Sequence, residues 1–70
     1  MKTIGISKEP VELYKVLKFE GLVSSGGEAK IVIAEGRVFV NGSVETQKRK
    51  KIVAGDTIEF SNEKFLIQRT

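Results

Sequence analysis

Hydrophobic and polar positions change their period twice along this chain, and the two changes divide it into a helical part and a strand part. Near the start, Thr3-Ile4-Gly5-Ile6 alternates weakly and predicts an edge strand. Ser7-Lys8-Glu9-Pro10 then reads as the start of a helix, because proline is tolerated in the first turn and Glu9 and Glu12 suit the positive helix end. Leu13, Tyr14 and Leu17 recur at helical spacing, Val16 widens the stripe, and Gly21 fits the left-handed residue just beyond a C-terminus. The pattern predicts a first helix over residues 10–20, with Lys15 and Lys18 three apart on its outer face.

A second helix is predicted from Ser25 to Gly36. Ser25-Gly26-Gly27-Glu28 matches a capping box, with Ser25 as N-cap and Glu28 three residues on, and Ala29, Val32 and Ile33 follow on one face. The β-branched run Ile31-Val32-Ile33 favours a strand instead, so propensity and cap disagree, and the cap with the terminal glycine decides for helix. Gly26 and Gly27 are poor first-turn residues, each about 1 kcal/mol worse than alanine, which suits a helix start whose backbone another group approaches closely, a phosphate for example.

Beyond Gly36 the period becomes two. Arg37-Val38-Phe39-Val40 alternates, Asn41-Gly42 is a strong hairpin signal, and Ser43-Val44-Glu45 begins the return strand. Ile52-Val53 resumes apolar character, Ala54-Gly55-Asp56 turns, and Thr57–Phe60 and Lys64–Gln68 form two further strands around the Ser61-Asn62-Glu63 turn. Val38, Val40, Ile52, Val53, Ile58, Phe60, Phe65 and Ile67 are the expected core or sheet-face residues. Tyr14 and Phe39 are the aromatic candidates for stacking on bases. Tyr14 shares the apolar stripe and is expected to be buried, whereas parity places Phe39 on the exposed face and makes it the stronger binding candidate of the two. The order predicts an α+β fold, with a two-helix hairpin packed on a small antiparallel sheet of three to five strands.

Composition bounds the chemistry. Seventy residues make one small domain, with 40% hydrophobic and 30% charged positions. There is no cysteine and no histidine, which excludes thiolate and imidazole metal sites, disulfides and a nucleophile–histidine pair. No metal and no cofactor is expected. Asp56 is the only aspartate and lies in a turn signal, while Glu45 and Glu59 have no evident partner, so no catalytic set is expected. No apolar run approaches the ~20 residues of a membrane span, and the N-terminus lacks the apolar stretch of a secretory signal, so the cytoplasm is the expected compartment.

Charge adds a location. Twelve Lys and Arg stand against nine Asp and Glu, for a net charge of +3, yet Lys48, Arg49, Lys50 and Lys51 are consecutive. Without those four the chain would be slightly acidic, so its basicity is local and marks a candidate polyanion site. A solvated loop is the plainer reading of such a run. No amphipathic apolar face adjoins it, which argues against a membrane-surface role.

The ordered set Leu13, Leu17, Gly21, Ser25, Ala29, Ile33, Gly36, Val38, Val40-Asn41-Gly42 and Gly55-Asp56-Thr57-Ile58 resembles the S-four RNA-binding domain, the αL module, over residues 11–60. Ser25-Gly26-Gly27, Ala29-Lys30, Val44-Glu45-Thr46 and Lys48-Arg49 leading into Ile52–Gly55 resemble its short stand-alone bacterial members of the YbcJ type. The resemblance implies a domain whose helix hairpin and adjoining loop bind structured RNA, with ribosomal or transfer RNA as the expected target. A monomer is expected, and the residues themselves offer no catalytic set, so binding by shape and phosphate contact is the expected mode. Carried over by position, Ser24, Ser25, Gly26, Gly27, Lys30, Arg37 and the basic loop Lys48–Lys51 fall on the RNA side, with Lys15 and Lys18 as further candidates. Many members have arginine directly after the serine; here that position is Gly26, which leaves backbone N–H groups and the basic loop to make the phosphate contacts. The alternative function is a ribosome-associated protein-interaction module whose basic loop meets an acidic partner.

Overall fold

The computed structural model describes all seventy residues, and its elements follow from local signals joined by a few distant pairings. In chain order they are β1 (Lys2–Ile6), β2 (Val11–Glu12), α1 (Leu13–Phe19), α2 (Gly26–Ala34), β3 (Val38–Val40), β4 (Ser43–Val44), β5 (Lys51–Ile52), β6 (Thr57–Phe60) and β7 (Glu63–Arg69). Five strands form one sheet in the order β1-β7-β6-β3-β4, and β2 and β5 pair separately. The α+β architecture with a helix pair on a five-stranded sheet is the expected one. The sheet is mixed rather than antiparallel throughout, because β1 runs parallel to β7 with Ile4 opposite Ile67. A parallel pair needs a long connection, and here nearly the whole domain supplies it.

Both helices end as their glycines predict. After α1, Gly21 has φ +74° while Gly21 N–H donates to Lys18 O and Leu22 N–H to Leu17 O. After α2, Gly36 has φ +77° and the same two bonds recur from Gly36 to Ile33 O and from Arg37 to Val32 O. These are Schellman closures, which satisfy carbonyls that a helix end otherwise leaves open.

The helix starts differ. At α2 the cap prevails over the β-branched run: Ser25 Oγ accepts from Glu28 N–H at 3.1 Å. Glu28 Oε1 reaches back one residue further than in the usual box, accepting from Ser24 N–H at 2.6 Å and Ser24 Oγ at 2.8 Å. At α1 the helix begins at Leu13 rather than at residue 10, because Val11 and Glu12 are drawn into pairing with Ile52 and Lys51. Pro10 therefore precedes a short strand. Carbonyls of the basic loop complete the α1 start: Leu13 N–H donates to Lys50 O at 2.9 Å and Tyr14 N–H to Lys48 O at 3.0 Å.

The core lies between the helices and one sheet face and holds sixteen buried residues, all apolar. Leu13, Val16 and Leu17 come from α1, Ala29, Val32 and Ile33 from α2, and Ile4, Ile6, Val38, Val40, Ile58, Phe60, Phe65 and Ile67 from the sheet. Ile52, with no exposed surface, and Val23, between the two helices in sequence, complete the set. Val53 does not belong to it. It is 40% exposed, because β5 alternates out at Lys51 and in at Ile52, which turns the next residue outward. Phe39 faces away from the core as parity predicts, but lies opposite Glu59 and Val44 and is half-buried rather than exposed. No helix is long and apolar enough to cross a membrane.

One local signal does more than turn the chain. Asn41 and Gly42, with φ of 52° and 85°, make the β3–β4 turn. The Asn41 side chain also accepts from Thr57 N–H at 2.9 Å and donates to Asp56 Oδ1 at 3.1 Å. Asp56 Oδ2 accepts from Val53 N–H at 2.9 Å, so one aspartate ties the hairpin to the turn that follows β5.

Candidate nucleic-acid interface

The basic run is held in place by its own backbone. Because Lys48 O and Lys50 O accept from the start of α1, and Lys50 N–H closes a turn on Gln47 O at 3.1 Å, the loop is moored against the helix pair rather than left free in solvent. Ile52, buried in the core, anchors its far end. This mooring brings residues from α1, α2 and the loop to one place.

Tyr14 stands at that place. Lys30 Nζ lies 5.0 Å from its ring centroid, and Lys15 Nζ and Arg49 Cζ each lie 5.9 Å away. The ring and the Lys18 stem also lie against the α2 start: a methyl group added at Gly26 would sit 3.9 Å from Lys18 Cδ and from the Tyr14 ring carbons. Beside the ring a groove of about 430 Å³ opens between α2 and the loop, lined by Lys30, Ala34, Thr46, Gln47, Lys48 and Arg49. Three of its six lining residues are cations and none is an acid. A smaller groove of about 230 Å³ between β1 and α1 is mostly apolar, with exposed Phe19 on its rim, and contains none of the candidate residues.

One carboxylate offsets part of the positive charge. Glu12 accepts from Arg49 Nη1 at 3.3 Å through Oε2, and its Oε1 lies 3.4 Å from Lys15 Nζ. Desolvation pushes its carboxyl up, but the hydrogen bonds and charges of Arg49 and Lys15 together outweigh that and hold it below the ordinary carboxylate range. At the α2 start, the Ser24 N–H first and then the Ser24 hydroxyl hold Glu28 below that range, against desolvation and with help from the Arg37 charge.

The fold therefore gathers Lys15, Lys18, Gly26, Lys30, Lys48 and Arg49 around Tyr14 and the groove. Ser24 and Ser25 are occupied with Glu28. Gly26 and Gly27 present backbone N–H groups with no acceptor in the chain, as the first two positions of a helix do. Neither glycine is required by the fold, since an added methyl at either would meet only ordinary contacts of 3.7–3.9 Å. Lys50 and Lys51 are exposed but lie outside the groove lining. Arg37 is apart from the cluster: at the far end of α2 it pairs with Glu35 at 3.5 Å and lies over the Phe60 ring at 5.7 Å.

Sequence reasoning misses two members, Tyr14 and Glu12. Periodicity assigns Tyr14 to the buried stripe, yet it is only half-buried, packed against the core on one side and meeting the cations on the other. Glu12 three residues before Lys15 is a recognisable helical pair. Its bond to Arg49, 37 residues away, has no local signal.

The chain is 56% identical over 62 residues to "Putative RNA-binding protein YbcJ" of Escherichia coli K12, covering 87% of this chain and 89% of that one. It is 34% identical over 57 residues to "Probable ribosome maturation protein RlbA" of Bacillus subtilis 168, covering 81% and 80%. The solution structure of E. coli YbcJ, described as revealing an αL motif involved in RNA-binding, superimposes with a TM-score of 0.72 at 49% identity, over 97% of this chain and 87% of that one. The S4 domain matches residues 4–68, a span that takes in both helices and nearly all of the strands, and the chain thus belongs to the S4 domain family with the αL fold of YbcJ.

Proposed function

We propose that this chain is a monomeric, non-catalytic, cytoplasmic protein that binds structured RNA, ribosomal or transfer RNA, through phosphate contacts from the α2 start and the basic loop. The observation that carries this reading is the groove in which Lys30, Lys48 and Arg49 converge with no acidic residue in the lining. Cations gathered in this way neutralise phosphates and release counterions, which supplies affinity without base recognition. The free N–H groups of Gly26 and Gly27 beside them add fixed donors that orient a phosphate. Five aromatic residues in the whole chain, with only Tyr14 near the groove, form no platform for successive unstacked bases, so shape rather than sequence is the feature read.

The names of the relatives agree in kind: one is called RNA-binding and another a ribosome maturation protein, which makes ribosomal RNA the first target to test. A titration of the ¹⁵N-labelled protein with a structured ribosomal RNA fragment tests the placement. Amide shifts concentrated in residues 24–30 and 46–51 support it. Shifts concentrated around Phe19 and β1, or none with RNA but strong ones with an acidic protein, contradict it and favour the protein-interaction reading.

A further inference from the structure

A cluster of like charges at the junction of three elements needs something to hold it. Lys15, Lys30 and Arg49 come from α1, α2 and the loop, and each is a long side chain with large rotamer freedom. They repel one another, and no acid lines the groove that Lys30 and Arg49 share. What they share instead is the ring of Tyr14. An aromatic face carries a negative quadrupole that attracts cations within about 6 Å of the centroid, and all three lie inside that distance. Tyr14 is itself fixed, with its backbone N–H bonded to Lys48 O and its side chain packed against the core. Its position is thus locked to the loop whose arginine it orients.

Glu12 works beside it on Arg49 and Lys15, but does not reach Lys30. Only Tyr14 touches cations from all three elements.

We propose that Tyr14 is the positioning residue of the basic groove: its ring holds Lys30 and Arg49 in the arrangement that meets phosphates, without contributing a phosphate contact of its own. The inference rests on the RNA-binding reading above and deepens it. Ordering the cations before encounter lowers the entropy lost when RNA binds, so the ring raises affinity while the number of phosphates neutralised stays the same.

The test uses a blunt RNA duplex, in which no base is free to stack, and compares wild type with Tyr14→Phe, Tyr14→Leu and Arg49→Ala across a salt series. Tyr14→Phe keeps the ring face and binds as wild type. Tyr14→Leu keeps an apolar side chain for the core but no quadrupole, and binds about tenfold more weakly with an unchanged log–log salt slope. Arg49→Ala, by contrast, loses affinity and flattens the slope. In the free protein, the side-chain methylene protons of Lys30 and Arg49 show ring-current shifts that persist in Tyr14→Phe and vanish in Tyr14→Leu. Wild-type affinity in Tyr14→Leu overturns the proposal, as does a flatter slope in that variant, which would make Tyr14 part of the phosphate-binding surface. Absence of the ring-current shifts overturns the positioning itself whatever the RNA result. Absence of duplex binding by wild type overturns the RNA reading and the proposal with it, even where the shifts are present.

Discussion

Replacing Ser25 by alanine is the most informative single test of how α2, and with it Lys30, is held. The helix is only nine residues long and opens with two glycines. Isolated helices of that length are marginal in water, and each glycine weakens this one by about 1 kcal/mol relative to alanine. The start therefore leans on the bond from Glu28 N–H to Ser25 Oγ, 3.1 Å long. Loss of such a cap costs about 1 kcal/mol, within a range of roughly 0.5–2. At about 2.1 cal/mol/K per residue, the unfolding entropy of a chain this size converts 1 kcal/mol into a fall in Tm of roughly 7 °C. Thermal unfolding followed by far-ultraviolet circular dichroism at pH 7 reads this directly. Ser25→Gly is the paired control, because glycine at an N-cap costs only a few tenths of a kcal/mol, so its Tm falls well short of the Ser25→Ala change. A Tm for Ser25→Ala within about 2 °C of wild type refutes the view that this hydroxyl sets the helix start.

Three further outcomes follow from the same geometry. Gly26→Arg fits without strain, since its Cβ meets neighbours no closer than 3.9 Å, and a denaturation curve should show a gain of up to about 1 kcal/mol from helix propensity. The same variant adds a cation beside the groove and should steepen the salt dependence of RNA binding. Ile52→Ala removes a side chain with no exposed surface at the end of the basic loop, so urea unfolding should show a loss of roughly 2–5 kcal/mol, and a loss below about 1 kcal/mol contradicts its core position. Acid should destabilise the fold through Glu12 and Glu28. Both carboxyls lie below their ordinary value of 4.5 in the folded chain, so their stabilisation is present above that value and is lost as pH falls from it through the lower folded values. Tm measured from pH 6 to pH 2 should fall less steeply for Glu12→Gln/Glu28→Gln than for wild type, and parallel curves would contradict the assignment.

What can be read from the sequence divides by distance along the chain. The Ser25–Glu28 cap, the glycine closures at Gly21 and Gly36 and the Asn41-Gly42 turn are decided by residues within four or five positions of one another, and each stands where its signal places it. The start of α1 lies three residues beyond its local signal because its deciding partners, Lys51 and Ile52, lie some forty residues downstream. The same holds for the parallel pairing of β1 with β7 and for the side-chain bonds of Asn41 to Asp56 and Thr57. Val53 departs from expectation because an apolar pair suggests two buried residues, while a strand as short as β5 turns only Ile52 inward.

The candidate site shows the same division. The basic run and the glycine-rich α2 start are visible as composition, and the resemblance to the S-four family sets them side by side. Their meeting point is not visible, because it depends on loop carbonyls bonding the start of α1 and on a tyrosine that local periodicity assigns to the core. Arg37 shows the converse: close in sequence to the end of α2, it is held by Glu35 and Phe60 away from Tyr14.

The central claim, that the moored basic loop binds RNA phosphates, is tested most directly by binding to a structured ribosomal RNA fragment across a salt series. Wild type is compared with the variant in which Lys48, Arg49, Lys50 and Lys51 are all alanine. The carbonyls of residues 48 and 50 that complete α1 belong to the backbone, so the variant keeps its mooring while losing its charge. The account predicts weaker binding and a shallower log–log slope, flatter by up to ~0.9 for each phosphate the loop no longer neutralises, on the B-DNA scale. Equal affinity and an equal slope in the two proteins would contradict it.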